Sequence, residues 1–275
     1  MPSFSVINGV TTAWSLTGPE DAPVVLLANG LAADSAMWDP QVEDFSSAYR
    51  LLRYDIRGHG GSEGTPGDYS LSLLSDDVVA LLDALSIERV HLVGCSLGAM
   101  LGQFMGVHHS SRLLSLCLCA TSSEAPRPVW EARVTAVRAQ GVLPQVEATI
   151  DRWFTPAFRD NHPDTMDRMR EMVLRTTQNG YAGCAAAIRD MTLSSIIAAI
   201  ELPTLVVAGE LDLSTPLPIL ERIADTIPGA ALMTVADTAH MPTIEQPEVC
   251  NRAIIDFLQS VDDGTVRDRA QRIRA

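Results

Sequence analysis

The chain has 275 residues, with 34 acidic against 20 basic side chains and a formal charge of −14. It is 47% hydrophobic and 20% charged, which fits one large folded domain or one domain with an insertion, and excludes disorder as the main state. The acidic balance argues against a nucleic-acid partner or an anionic membrane surface, which reward basic patches, and the absence of lysine excludes Schiff-base, PLP, Walker A and Ser-x-x-Lys chemistry.

In chain order, Phe4–Ile7 and Thr11–Leu16 predict a hairpin around Asn8-Gly9, a strong turn dipeptide. Val24–Ala28 is a continuous apolar run, as expected of a strand buried on both faces. A helix is expected over Ala36–Ser47 and a strand over Tyr49–Tyr54. Gly58-His59-Gly60-Gly61-Ser62 makes a glycine-rich turn. Apolar residues at 71, 74, 78, 81, 82 and 85 predict a helix over Leu71–Leu85. Val90–Val93 is the next short strand, Leu97–Val107 a helix and Leu113–Ala120 a strand.

Residues 124–195 carry no convincing strand. Pro126, Pro128, Pro144, Pro156 and Pro163 punctuate short helical pieces there, because proline lacks a donor and clashes with the preceding turn. The alternation resumes with a strand at Thr204–Ala208, a helix at Leu217–Ile227, a strand at Ala231–Val235 and a helix at Pro247–Leu258, where Pro247 and Glu248 suit a first turn. The charged tail from Val261 is expected to fray. Repeated strand–helix units predict an α/β fold with a mostly parallel sheet flanked by helices. The core is assigned to residues 1–122 and 200–275, and an inserted helical cap to residues 123–199.

The cysteines, Cys95, Cys117, Cys119, Cys184 and Cys250, are odd in number and form no CxxC. Neither a disulfide framework nor a zinc site is indicated, and a reducing cytoplasm fits best. MPSFSVINGV lacks the features of a signal peptide, and no apolar run approaches the roughly 20 residues of a membrane helix. No metal or organic cofactor is implied. Oligomeric state is not read from the sequence, which leaves room for a homo-oligomer.

Gly94-Cys95-Ser96-Leu97-Gly98 follows a predicted strand and opens a predicted helix. That is the context of the G-x-S-x-G nucleophile elbow. A strand that turns sharply into a helix strains the serine and projects its hydroxyl above the sheet, while glycines allow close backbone approach. The alternative is a glycine-rich βα turn with an incidental serine. A serine nucleophile needs a base that is itself oriented by an acid, and in this arrangement the chain order is serine, acid, histidine. Asp212 follows the strand Thr204–Ala208, and His240 follows the strand Ala231–Val235. Both fall at the carboxyl edge of the sheet, where such sheets bind ligands. Glu210 is the fallback acid. His59 is expected to be structural, His91 buried or edge-facing, and His108 and His109 to end a helix. His162 lies outside the expected place for a base. The oxyanion hole should use the N–H of Leu97 and that of Leu31, in the loop Asn29-Gly30-Leu31-Ala32.

These residues resemble the α/β-hydrolase superfamily over essentially the whole chain, through the elbow, Asp55-x-Arg57-Gly58-His59-Gly60-x-Ser62 and Ala239-His240. Within it the chain is most similar to 3-oxoadipate enol-lactonases. That narrower resemblance rests on Met37-Trp38-x-Pro40-Gln41-Val42, on Leu52-Arg53-Tyr54-Asp55, on Val129-Trp130-x-x-Arg133, and on Arg152-Trp153-Phe154-Thr155 with Gly180-Tyr181-Ala182. Family members commonly read Asn-Ser-Leu-Gly at the Asn29 loop and Ser-Met-Gly at the elbow.

The resemblance implies a small-molecule substrate, an enol-lactone carrying a carboxylate, opened through an acyl-enzyme on Ser96. A carboxylate approaching so acidic a protein needs a local cation. Arg133 and Trp130, three residues apart, are neighbours on a helix face and are the candidates. A solvated arginine and a packing tryptophan are the alternative. Trp38 and Trp153 are expected to pack. Rival functions are a carboxylesterase or other lactonase of the same fold, a ligand receptor with an unused site, and cofactor-free peroxide or oxygen chemistry.

Overall fold

Four apolar segments with no polar face need cover on both sides, and they form the middle of the sheet. The computed structural model describes residues 2–266 and 272–274, the last three by their backbone alone. The strands are β1 (Ser3–Ile7), β2 (Val10–Thr17), β3 (Val24–Ala28), β4 (Arg50–Tyr54), β5 (Val90–Cys95), β6 (Leu113–Cys119), β7 (Thr204–Gly209), β8 (Ala231–Val235) and β9 (Arg272–Arg274). They run in the order β1-β2-β4-β3-β5-β6-β7-β8-β9. The β1–β2 and β2–β4 pairings are antiparallel, and the rest are parallel. Every residue of β5 and β7 is buried, which places the core along the centre of the sheet.

The helices are α1 (Asp39–Phe45), α2 (Leu71–Ala84), α3 (Leu97–His108), α4 (Arg127–Gln140), α5 (Val146–Trp153), α6 (Pro156–Asn161), α7 (Pro163–Leu174), α8 (Gln178–Asp190), α9 (Leu217–Thr226), α10 (Pro242–Glu245) and α11 (Pro247–Asp262). None of the described helices is long and apolar enough to cross a membrane.

Most expected elements stand within a residue or two, and the differences have local causes. The helix expected from Ala36 starts at Asp39, because Pro40 sits in its first turn and the preceding residues form only a short 3-10 turn, Ser35–Trp38. The hairpin turns through Asn8 and Gly9, both at positive φ. The tail expected to fray from Val261 instead continues α11 to Asp262 and supplies β9 beside β8. Residues 267–271 and 275 of that tail lie outside the described residues. The one-turn helix α10 has too few residues to show a period and was not expected.

Between β6 and β7 the described chain is wholly helical, from α4 to α8. This block is fastened to loops of the sheet layer. The Tyr69 N–H donates to the Gly183 carbonyl, and the Thr177 N–H donates to the Gly58 carbonyl at 2.8 Å. Arg175 pairs with Asp34 at 2.7 Å. Below the block, the buried pair Arg57–Asp77 is bidentate, at 2.8 and 2.6 Å, and holds the glycine-rich turn against α2. The closest approach is between two glycines. A Cβ on Gly180 would lie 2.3 Å from the Gly58 oxygen, and one on Gly58 would lie 2.2 Å from the Gly180 Cα. Both obstacles are backbone, so neither can swing aside. Gly180→Ala should therefore destabilise the protein by at least the ~1–3 kcal/mol typical of overpacking. A thermal melt should show a midpoint several degrees lower, and an unchanged midpoint would contradict this contact.

Candidate active site

The turn from β5 into α3 forces the backbone at Ser96 to φ 52° and ψ −111°, a conformation costly for any residue with a Cβ. Two glycines make the crossing sterically feasible. A Cβ on Gly94 would meet the Gly98 carbonyl carbon at 2.4 Å, and one on Gly98 would meet the Ala28 oxygen at 2.1 Å. The Ser96 N–H donates to the Cys119 carbonyl at 2.9 Å. The Ser96 carbonyl accepts from the Met100 N–H and, at 3.1 Å, from the Thr121 hydroxyl. The serine is thus fixed by its backbone, while its side chain is half-exposed and its hydroxyl forms no hydrogen bond among the described residues.

Across from it lies the loop after β3. A Cβ on Gly30 would come within 3.5 Å of the Ser96 Cβ and 4.0 Å of the Met241 methyl, so the loop passes close over the serine. The N–H groups of Leu31 and Leu97 donate to no acceptor among the described residues, although both residues are buried. Buried orphan donors are rare. Leu97 follows the strained serine and Leu31 follows Gly30, which passes over it, so both free donors fall where the sequence leads one to expect an oxyanion hole.

His59 holds that loop. The Ala32 N–H, at φ 68°, donates to His59 Nε2 at 3.0 Å, and His59 Nδ1 lies 3.2 Å from the Arg57 carbonyl. A carbonyl can only accept, so the proton resides on Nδ1 and the imidazole is neutral. Full burial lowers its pKa to about 4, against smaller opposing effects of the Arg57 carbonyl and Asp34.

His240 and Asp212 meet beyond the ends of β8 and β7. His240 Nδ1 lies 2.7 Å from Asp212 Oδ2. The other contacts of Asp212 keep it in place: Ser214 and Thr215 N–H groups donate to Oδ1 at 2.7 and 3.1 Å, and the Thr215 hydroxyl donates to Oδ2 at 2.6 Å. Burial opposes ionisation of Asp212, but the His240 charge and these hydrogen bonds outweigh it and hold the carboxyl below its ordinary range. Glu210, the fallback acid, instead accepts from the Asp237 N–H. The structure brings Asp212 to His240 and the Gly30 loop to Ser96. It does not join Ser96 to His240 by a hydrogen bond, a contact that often tightens only once substrate is bound. Cys95 is a buried filler, with its sulfur 3.9 Å from the His240 carbonyl.

On α4, the Arg133 guanidinium lies over the Trp130 ring, 4.4 Å from its centroid. Neither side chain bonds to Ser96 or His240 among the described residues. The sequence reading missed Arg152, at the end of α5. Burial first, and then the like charge of Arg133, disfavour its charged form. Burial raises the Tyr181 phenol, and the charges of both arginines act against that rise, so the three side chains share one neighbourhood. Neither Arg133 nor Arg152 has a carboxylate within 4.0 Å among the described residues, whereas nine other arginines do. The sequence offered Arg152 only as part of the Arg152-Trp153-Phe154-Thr155 stretch that carries the resemblance, with no role assigned to it. No group of three or more His, Cys, Asp or Glu among the described residues could hold a metal ion. All five cysteines are free and buried.

Residues 23–247 match the family described as the alpha/beta hydrolase fold, and the chain belongs to that family. It is 32% identical over 255 residues to 3-oxoadipate enol-lactonase 1 of Acinetobacter baylyi, covering 92% of this chain and 95% of that one. To 3-oxoadipate enol-lactonase 2 of the same organism it is 30% identical over 260 residues, covering 92% and 97%. The crystal structure of the enol-lactonase from Burkholderia xenovorans LB400 is similar at a TM-score of 0.91 and 32% identity, covering 94% of this chain and all of that one.

The neutral, buried His59 gives the fold an acid limit. In the unfolded chain this imidazole takes up its proton near pH 6.5, and in the folded protein only near 4. Its contribution is therefore intact above pH 6.5 and is lost as pH falls towards 4, by up to ~1.4 kcal/mol per pH unit. Melting temperatures of wild type and His59→Gln, measured from pH 7 to pH 4, should show a shallower acid decline in the variant. Parallel curves would contradict the burial argument.

Proposed function

We propose that the protein is a serine hydrolase that opens a small lactone carrying a carboxylate, such as 3-oxoadipate enol-lactone, with residues 123–199 as a cap over the site. Ser96 attacks the lactone carbonyl while His240 takes the hydroxyl proton. The N–H groups of Leu31 and Leu97 hold the tetrahedral oxyanion, and loss of one such donor typically costs about 2.7–4 kcal/mol. Collapse breaks the ring C–O bond, and the enolate that leaves takes its proton back from His240 and settles as a ketone. A water deprotonated by His240 then attacks the acyl-enzyme and frees Ser96 and a second carboxylate. Asp212 stays ionised throughout and keeps the imidazole proton on Nδ1.

The observation that carries the substrate class is the pair Arg133 and Arg152, two guanidiniums in one partly buried neighbourhood with no carboxylate within 4.0 Å among the described residues to neutralise them. Like charges brought together out of water are unfavourable unless a counter-charge arrives. A substrate carboxylate supplies it, in the planar geometry a guanidinium binds best. The likeness to enol-lactonases along nearly the whole chain supports the same reading.

Ser96→Ala should lower kcat by about 10⁶-fold, the scale at which loss of a serine nucleophile is felt, with an unchanged circular dichroism spectrum. Turnover near that of wild type would remove the nucleophile assignment. Arg133→Ala and Arg152→Ala should each raise KM for a carboxylated lactone by about 10- to 100-fold, as expected for loss of a charge-assisted hydrogen bond. KM for p-nitrophenyl acetate should barely move. Equal effects on both substrates in a steady-state panel would point to a general esterase instead.

A further inference from the structure

The backbone on both sides of His240 is tied to the helical block above it. The Met241 N–H donates to the Trp153 carbonyl at 3.0 Å. The Ala239 N–H donates to Glu245 Oε1 at 2.6 Å. The other oxygen of the same carboxylate, Oε2, accepts from the Thr155 N–H at 3.0 Å and the Thr155 hydroxyl at 2.6 Å. Thr155 is also the cap of α6, its hydroxyl oxygen accepting from the Phe158 N–H. Glu245 lies half-buried at the end of α10, five residues after the histidine. One side chain thus bridges the turn between α5 and α6 to the peptide that precedes His240.

We propose that Glu245 is a positioning residue for His240: its carboxylate, bonded to Thr155 on one oxygen and to the Ala239 N–H on the other, sets where the imidazole stands relative to Ser96 and makes that placement depend on the seating of the cap. This rests on the serine-hydrolase reading. Asp212 fixes the imidazole through Nδ1, but one side-chain contact leaves the ring free to move with its backbone. The two N–H tethers remove that freedom, and both lead to residues 153–155. A carboxylate suits the task because three donors converge on it, and its two oxygens offer about four acceptor sites. A glutamine has only one acceptor oxygen and must turn its amide hydrogens towards a donor on the other side. No part of Glu245 needs to touch substrate.

Ester turnover of p-nitrophenyl acetate and the rate of Ser96 labelling by a fluorophosphonate test the proposal in Glu245→Ala, Glu245→Gln, Thr155→Val and Thr155→Ser, well below each melting temperature. Displacing a catalytic group by about 1 Å costs on the order of 10²-fold. Glu245→Ala should thus lose roughly 10- to 100-fold in kcat and in labelling rate, with KM changed by less than about 3-fold, and Glu245→Gln should fall between it and wild type. Thr155→Val, which lacks the hydroxyl, should lose several-fold in kcat, and Thr155→Ser, which restores it, should return to the wild-type rate. The Thr155 pair decides the matter if Glu245→Ala does not fold. Variants that melt earlier yet keep wild-type kcat and labelling rates would make Glu245 merely structural and overturn the proposal. A wild-type protein that neither hydrolyses the ester nor labels at Ser96 would overturn the hydrolase reading itself, and the proposal with it.

Discussion

Ser96 has a Cβ, yet its backbone occupies a conformation that ordinarily belongs to glycine, at a cost of about 1–3 kcal/mol. The rest of the site follows from what enforces that geometry. Ser96 is the joint between a fully buried strand and a helix packed beneath the Ala28 carbonyl, and its own N–H and carbonyl are both engaged. Relaxing the serine would break these bonds and lift α3 off the sheet. The strain is affordable because burial of β5 and β6 outweighs it, at roughly 25 cal/mol per Å² of apolar surface. The same turn leaves the Leu97 N–H without a partner among the described residues, so the strained residue and the proposed first oxyanion donor have one origin.

Charge distribution bears on how so acidic a chain would accommodate the proposed anionic substrate. Among the described residues nine arginines are paired with carboxylates, and Arg189 alone meets Asp68, Glu131 and Asp190. Exposed pairs of this kind contribute little to stability. Among the remaining described arginines, Arg133 and Arg152 are set apart by sharing one partly buried neighbourhood with Tyr181. Their field is local, since screening confines it to about 8–10 Å at ordinary salt. On the proposed reading, a carboxylate would feel this patch only at close range, so its binding would depend on local geometry more than on long-range steering.

The sheet was legible because its strands are apolar runs bounded by turns, and period and length sufficed. The elbow was legible because steric necessity writes glycines at fixed spacing. Asp212 and His240 followed from chain order and strand ends. What escaped was anything set by long-range meeting. Arg152 looks like an ordinary amphipathic-helix residue until α5 places it beside Tyr181. His59 read as structural, which its burial supports, but the sequence does not show that its Nε2 takes the Ala32 N–H. Glu245 carries no local signal, because its partners lie 6 and 90 residues away. The helix expected from Ala36 failed for the opposite reason, a local one: the restraint of Pro40 outweighed the hydrophobic spacing.

The molecule also holds a second serine–histidine–aspartate set, and the contrast isolates what sets the proposed catalytic one apart. His91 Nδ1 lies 2.8 Å from the Ser115 hydroxyl, and Nε2 lies 3.0 Å from Asp262. By distance alone this is the tighter constellation, since Ser96 is not bonded to His240 at all. Yet Ser115 sits within strand β6, beside a shift in its register with β5, and is wholly buried. Its φ is not positive, so no turn projects its hydroxyl out of the strand. Burial lowers the pKa of His91, with Asp262 working against that shift, and Asp262 also accepts from Tyr49, so the cluster ties α11 to the sheet. A nucleophile needs an open face and donors aimed at the charge that will develop. On the proposed reading, the turn at Ser96 supplies the open face and one donor and the loop after β3 the other, and a strand interior can supply neither.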